Sequence, residues 1–169
     1  FRRVRFRSVV YAQSALGAYS SIHNVPAEKA ALLPNAIGFE QAAASFLKGL
    51  TVYYLLRKTY EIKPDEQFLF HAAAGGVGLI ACQWAKALGA KLIGTTGSAQ
   101  KAQRALDAGA WQVINYREES IVERLKEITG GKKVRVVYDS VGKDTWESSL
   151  DCLQRRGLMV SFGNASRSE

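Results

Sequence analysis

The stretch His71-Ala-Ala-Ala-Gly-Gly-Val-Gly78 decides how this chain is read. Ahead of it, Phe68-Leu69-Phe70 is a short apolar run with the character of a buried strand. Behind it, Val77, Ile80, Ala81, Trp84 and Leu88 recur at helical spacing on one face. A strand, a glycine turn and a helix start form the arrangement that seats a dinucleotide pyrophosphate, because the first-turn amides and the helix dipole face the anion. Gly75 is expected to permit the tight turn, Gly76 to leave the phosphates unobstructed, and Gly78 to let the helix pack closely on the strand. A strict G-x-G-x-x-G would place glycine at position 73, where this chain has Ala73. The competing expectation is a strand-to-helix turn that binds nothing, and three glycines so close together argue against it.

Downstream of the turn the pattern alternates. Strands are expected at 68–71, 91–95, 111–115, 134–138 and 158–162. Helices are expected at 77–88, from a Ser98 cap through Leu106, at 118–128 and at 144–153. Gly89, Gly109 and the pair Gly130-Gly131 stop the first three helices. Strands alternating with helices predict an α/β doubly wound parallel sheet. Upstream, the stretch from Val9 to Val25 is strand-like and resembles the tail of a small β-rich unit. A connection follows from Pro26 to Gly38. The helical region from Phe39 is expected to bend or restart at Gly49 and continue to Tyr60, before Lys63-Pro64-Asp65 ends it.

The second strand addresses which nucleotide. In the NAD pattern a carboxylate about twenty residues past the glycines accepts from the ribose hydroxyls. Here that count lands on Thr95-Thr96-Gly97-Ser98, and no Asp or Glu occurs between Glu66 and Asp107. With Ser98 as a hydroxyl donor and Lys101 in the first turn of the next helix, the segment fits an anion pocket for a 2′-phosphate. The prediction is NADPH rather than NADH. The plainer alternative, a capping serine beside a surface lysine, explains those two residues but not the missing acid.

Bulk properties bound the rest. A chain of 169 residues with 47% hydrophobic content suits one domain with a sizeable core. No apolar run approaches bilayer-spanning length. Cys82 and Cys152 lack metal-ligand spacing and point to reduced thiols in a cytoplasmic protein. His23 and His71 are too few for a histidine metal cluster, so no metal ligand is expected. The net charge of +8 raises nucleic-acid binding as a function. Four of those charges, Arg2, Arg3, Arg5 and Arg7, crowd the opening segment, and the remainder is scattered as on solvated faces. An edge strand or frayed terminus is the expectation there, over a nucleic-acid arm or targeting segment.

Several segments together carry a resemblance. Ala73-Ala-Gly-Gly-Val-Gly78, the helix Gln41–Tyr53, Val137-Tyr-Asp-Ser-Val-Gly142 and Ser161-Phe-Gly-Asn164 resemble the zinc-free, zeta-crystallin-like NADPH:quinone oxidoreductases of the medium-chain dehydrogenase/reductase superfamily. The similarity is greatest to bacterial members and runs from about Val9 to Ala165. It implies an enzyme transferring reducing equivalents from NADPH to a quinone. It also implies a cofactor site. Gly75, Gly76, Val77 and Gly78 would hold the pyrophosphate. Gly97, Ser98, Lys101 and Tyr116 would surround the 2′-phosphate, and Val141 would lie beside the adenine and ribose. Phe162, Gly163 and Asn164 would approach the nicotinamide ribose, with Thr51 and Tyr54 reaching toward the nicotinamide. Core packing is the rival expectation for Phe162 and Tyr54. Hydride transfer needs positioning more than acid–base groups. No catalytic residue is named: Tyr53, Tyr54 and His71 could be proposed as proton donors, but His71 is expected to end its strand packed under the turn.

Two departures from the family pattern shape the expected organisation. The family's GroES-like substrate region precedes the segment aligned with Val9, and the opening Phe1–Arg7 does not match its Gly-Asp-Arg-Val lead-in. At the other end, Arg167-Ser-Glu169 departs from the expected continuation. The expectation is a truncated Rossmann-like domain over 39–169 lacking its last strand, preceded over 1–38 by a remnant of the substrate domain. The family forms homodimers through the strand that would follow, so a chain of this extent is expected to associate or aggregate and to reduce quinones poorly. A nucleotide-binding module without catalysis is the alternative function.

Overall fold

A computed structural model describes residues 8–10, 19, 21 and 26–166. The chain divides into two compact units, Phe1–Thr51 and Val52–Glu169. Much of the strand-like stretch from Val9 to Val25, the opening arginines, His23 and Arg167-Ser-Glu169 lie outside the described residues.

In the first unit, β1 (Ser8–Val10) pairs antiparallel with β2 (Ala30–Leu32), Ser8 opposite Leu32. The connection expected from Pro26 to Gly38 therefore contains a strand, preceded by a single 3₁₀ turn at Ala27–Lys29. Helix α1 (Phe39–Tyr53) runs without interruption through Gly49, contrary to the expected bend. A lone glycine costs a helix about 1 kcal/mol, which its neighbours on a continuous helical pattern absorb. The departure from α geometry comes later, as a π-helical segment at Tyr54–Thr59.

The second unit is the doubly wound sheet. Its strands are β3 (Gln67–Phe70), β4 (Lys91–Thr96), β5 (Gln112–Asn115), β6 (Val134–Asp139) and β7 (Leu153–Ser161), all parallel, in the order β5-β4-β3-β6-β7. Between them run α2 (Gly76–Ala87), α3 (Ala99–Asp107), α4 (Ile121–Ile128) and α5 (Trp146–Cys152). The Rossmann-like expectation is borne out. Side chains alternating along β3 explain the two layers. Phe68 and Phe70 join Ala81, Cys82 and Ala85 of α2 on one face, while Leu69 joins Leu125 of α4 and Cys152 of α5 on the other. Phe68, Leu69 and Phe70 are all fully buried, each contributing on the order of 1.5–3 kcal/mol.

The differences from expectation lie at element ends. α4 begins at Ile121 rather than 118, because the Ser120 hydroxyl accepts from the Glu123 N–H and sets the start. α5 ends at Cys152, and β7 begins at once at Leu153 rather than at 158. An irregularity in the β6–β7 register and a left-handed Arg156 (φ 63°) absorb the early start.

The order matters for function. The sheet reverses its winding between β3 and β6, and in such sheets ligands bind outside the carboxyl ends of the strands at that point.

Candidate nucleotide site

The turn after β3 differs in detail from its sequence reading. Ala72, not Gly75, adopts the left-handed conformation (φ 52°). Gly75 is an ordinary extended N-cap at φ −76° and ψ 172°. Its smallness serves a close approach instead: a Cβ there would stand 3.1 Å from the Ala72 carbonyl oxygen. Gly78 does act as anticipated. A Cβ on it would lie 2.5 Å from both the Ala72 and Ala73 carbonyl oxygens, so only glycine lets α2 seat this close to the turn. The substitution at position 73 has a structural partner as well. Ala73 is fully buried, and its methyl packs where a side chain on Gly94 would sit.

The first helical hydrogen bond of α2 is donated by Leu79 to the Gly75 carbonyl at 2.9 Å. The amides of Gly76, Val77 and Gly78 precede it and point out of the helix start, as first-turn amides do. Gly75 and Gly76 are exposed. No side chain caps this end, which leaves those donors for a ligand.

Three cavities lie along the carboxyl ends of the strands. One of about 130 Å³ is lined by Ala72, Ala74, Gly75, Thr95, Thr96, Gly97, Lys101 and Tyr116. The structure thus brings together Gly75, Gly97, Lys101 and Tyr116. No carboxylate lines this space, and Lys101 has no ion-pair partner among the described residues. Tyr116 lies directly over Gly97, where a Cβ would meet its hydroxyl at 2.5 Å, so the ring rests on the space the glycine leaves. Ser98 stands at the mouth of α3 as its N-cap, accepting from the Lys101 N–H at 3.3 Å.

A second cavity, of about 330 Å³, is lined by Thr95, Tyr116, Val141, Thr145 and six further residues, Glu119 among them. The Glu119 carboxylate is already engaged by the Asn115 N–H at 3.0 Å and by Arg124 at 3.4 Å. A third, of about 320 Å³, includes Gly142, Trp146, Gly163 and Asn164. Gly163 is held against Ser140, and the Asn164 side chain covers Gly142. Phe162 points elsewhere. Its ring packs 5.7 Å from that of Phe70 in the core, so any role in the site belongs to its backbone. Thr51 and Tyr54 line none of these cavities. The Thr51 hydroxyl donates to the Leu47 carbonyl, and Tyr54, half-exposed, opens the π-helical segment.

Sequence reading missed a buried polar cluster beneath the cavities. His71, Thr95, Asp139, Thr145 and Ser149 are all buried there. Burial pushes the His71 imidazole down to about 4, with Asp139 pulling the other way, so it is neutral near pH 7. Burial also opposes ionisation of Asp139, yet the Gly142 N–H and the Thr145 and Ser149 hydroxyls outweigh it and hold the carboxyl below its usual range. His71 is thus no exposed proton donor. Both thiols are buried and pushed up to about 12, which keeps them protonated and inert.

The family model described as zinc-binding dehydrogenase matches residues 76–169, more than half of the chain. This chain belongs to the zinc-binding dehydrogenase family. The match begins at the first helical residue of the glycine turn and covers the sheet from there on. The chain is 92% identical over 158 residues to the quinone oxidoreductase of Salmonella typhimurium, covering 94% of the chain and 48% of that protein. It is 47% identical to a 2-haloacrylate reductase from Burkholderia, over 89% of the chain and 46% of the relative. The crystal structure of Escherichia coli quinone oxidoreductase complexed with NADPH superposes with a TM-score of 0.89 at 90% identity. That superposition covers 92% of this chain and 48% of the other. The chain therefore spans about half the length of the curated relatives it matches. The resemblance read from the motifs is borne out. The zinc of the family's description finds no matching donor set, since no three His, Cys, Asp or Glu side chains gather as a metal site among the described residues. No helix among them is long and apolar enough to cross a membrane.

Proposed function

We propose that this chain is the NADPH-binding part of a quinone oxidoreductase, reducing a quinone at the expense of NADPH. The observation that carries the reading is the pairing of uncapped first-turn amides on α2 with a carboxylate-free cavity beside them that contains Lys101. A diphosphate needs the first, and a 2′-phosphate needs the second. Likeness to a quinone oxidoreductase crystallised with NADPH supports both assignments.

In this proposal Gly76, Val77 and Gly78 donate to the pyrophosphate, while Gly75 keeps the approach open. Lys101 and Ser98 receive the 2′-phosphate, with Gly97 and Tyr116 forming its floor and wall. Val141 packs beside the adenine and ribose. The backbone of Phe162, Gly163 and Asn164 guides the ribose at the nicotinamide end, and Thr51 and Tyr54 serve the nicotinamide itself. NADPH supplies the hydride when bound. The residues of the chain bind and orient, and positioning is the chief requirement of such a transfer.

The organisation proposed from the sequence belongs to the same reading: a substrate-domain remnant over 1–38 and a nucleotide-binding domain over 39–169. Two buried, protonated thiols support a reducing, cytoplasmic setting. Homodimer assembly of the family type would use a strand beyond β7, whose outer edge pairs with nothing among the described residues. A nucleotide-binding module without turnover is the second reading.

Titrating the purified chain with NADPH by tryptophan fluorescence, then adding a benzoquinone and following NADPH consumption, separates the two. Saturable binding with turnover supports the reductase. Binding without turnover leaves the module, and absence of binding contradicts both.

A further inference from the structure

The cluster under the cavities has a direction. His71 Nε2 lies 2.9 Å from Ser149 Oγ, and Nδ1 lies 3.0 Å from Thr95 Oγ1. Ser149 Oγ lies 2.8 Å from Asp139 Oδ2, which also receives the Thr145 hydroxyl at 2.7 Å. An ionised carboxylate only accepts, so the Ser149 hydroxyl donates its hydrogen bond to Asp139. The serine oxygen then accepts, and His71 must carry its proton on Nε2. Nδ1 is left as an acceptor, which Thr95 satisfies with its hydroxyl proton. One tautomer and one orientation of each hydroxyl satisfy the whole chain.

Strand register explains why these residues meet. Phe70 pairs with Gly94 on one side and Tyr138 on the other. One residue further on, His71, Thr95 and Asp139 stand level, each two positions past Leu69, Ile93 and Val137 and on the same face.

The members of this chain are also the walls of the crevice. Thr95 lines both the 130 Å³ and the 330 Å³ cavities, and Thr145 lines the larger. Asp139 Oδ1 accepts from the N–H groups of Val141 and Gly142 at 2.7 and 3.0 Å, fixing the loop between β6 and α5. His71 itself directly precedes Ala72, the left-handed residue of the phosphate turn.

We infer that His71 is a positioning residue for nucleotide binding, setting through its single tautomer the placement of Thr95 and of the Val141–Gly142 loop. The inference rests on the proposed NADPH site. His71 touches no ligand. It acts by holding β3, β4 and α5 in the arrangement that the crevice needs.

The test combines imidazole ¹⁵N NMR with NADPH titration. The unaltered chain should show the Nε2–H tautomer, with His71 nitrogen resonances that shift when NADPH is added. Thr95→Val keeps the shape and removes the hydroxyl, and should raise the NADPH Kd about tenfold while cooperative unfolding is retained. Thr95→Ser should restore affinity. An Nδ1–H tautomer, or His71 resonances indifferent to NADPH, overturns the inference, as does a Thr95→Val chain that binds as tightly as the unaltered one. Failure of the unaltered chain to bind NADPH overturns instead the reading on which the inference rests.

Discussion

The methyl of Ala73 lies 2.5 Å from where a Cβ on Gly94 would stand, so the glycine turn and the neighbouring strand share one small volume between two residues. Gly94→Ala places two methyl groups there. Overpacking of this kind costs about 1–3 kcal/mol. Urea unfolding should register the loss, and an unchanged midpoint would show that β4 can move aside.

Gly78→Ala meets two backbone carbonyl oxygens at 2.5 Å, and backbone cannot swing away as a side chain can. α2 must lift from the turn, which misplaces the amides of Gly76 and Val77. We expect loss of nucleotide binding together with lower stability, read by fluorescence titration and thermal unfolding.

Tyr138 is fully buried and donates its hydroxyl to the Leu55 carbonyl at 3.0 Å, holding the π-helical segment. Tyr138→Phe removes that bond and leaves the Leu55 carbonyl with the Tyr60 N–H alone, at 3.3 Å. A cost of about 1–2 kcal/mol is expected in denaturant unfolding.

Acid should weaken the fold in two stages. Native His71 stays neutral down to about pH 4, while in the unfolded chain it takes up a proton near 6.5. Between those values the unfolded state binds more protons, so stability falls as pH drops, by on the order of 3 kcal/mol in all. Asp139 is held below its ordinary value of 3.8, so its contribution is full above that pH and is lost as pH falls further. Unfolding free energies measured from pH 7 to 4.5 should decline. Replacement of His71 by Leu should flatten that decline.

Much of this architecture was legible in the chain. The apolar run at Phe68–Phe70, the helical spacing from Val77 and the glycine stops located the sheet and its helices, because each rests on local periodicity. The cavity residues Gly75, Gly97 and Lys101 were legible too, since a turn, a cap and a missing acid leave marks in sequence, while Tyr116 came through the family resemblance. The His71–Thr95–Asp139 cluster was not legible. It depends on strand register, and nothing local aligns position 71 with 95 and 139. The sequence also shows that a turn occurs but not which residue takes the left-handed angle, and Ala72 takes it. For Phe162 the rival expectation of core packing describes the ring, since alternation along the strand end sends it toward Phe70.

The central claim is that Lys101 and its carboxylate-free cavity select a 2′-phosphate. Its most direct test is the ratio of NADH to NADPH dissociation constants in the unaltered chain and in Lys101→Glu. The account predicts at least about tenfold tighter NADPH binding in the unaltered chain, from the loss or gain of one charge-assisted contact. The charge reversal should abolish that preference with little change in NADH affinity. Equal affinities in the unaltered chain, or a ratio that Lys101→Glu leaves intact, would contradict it.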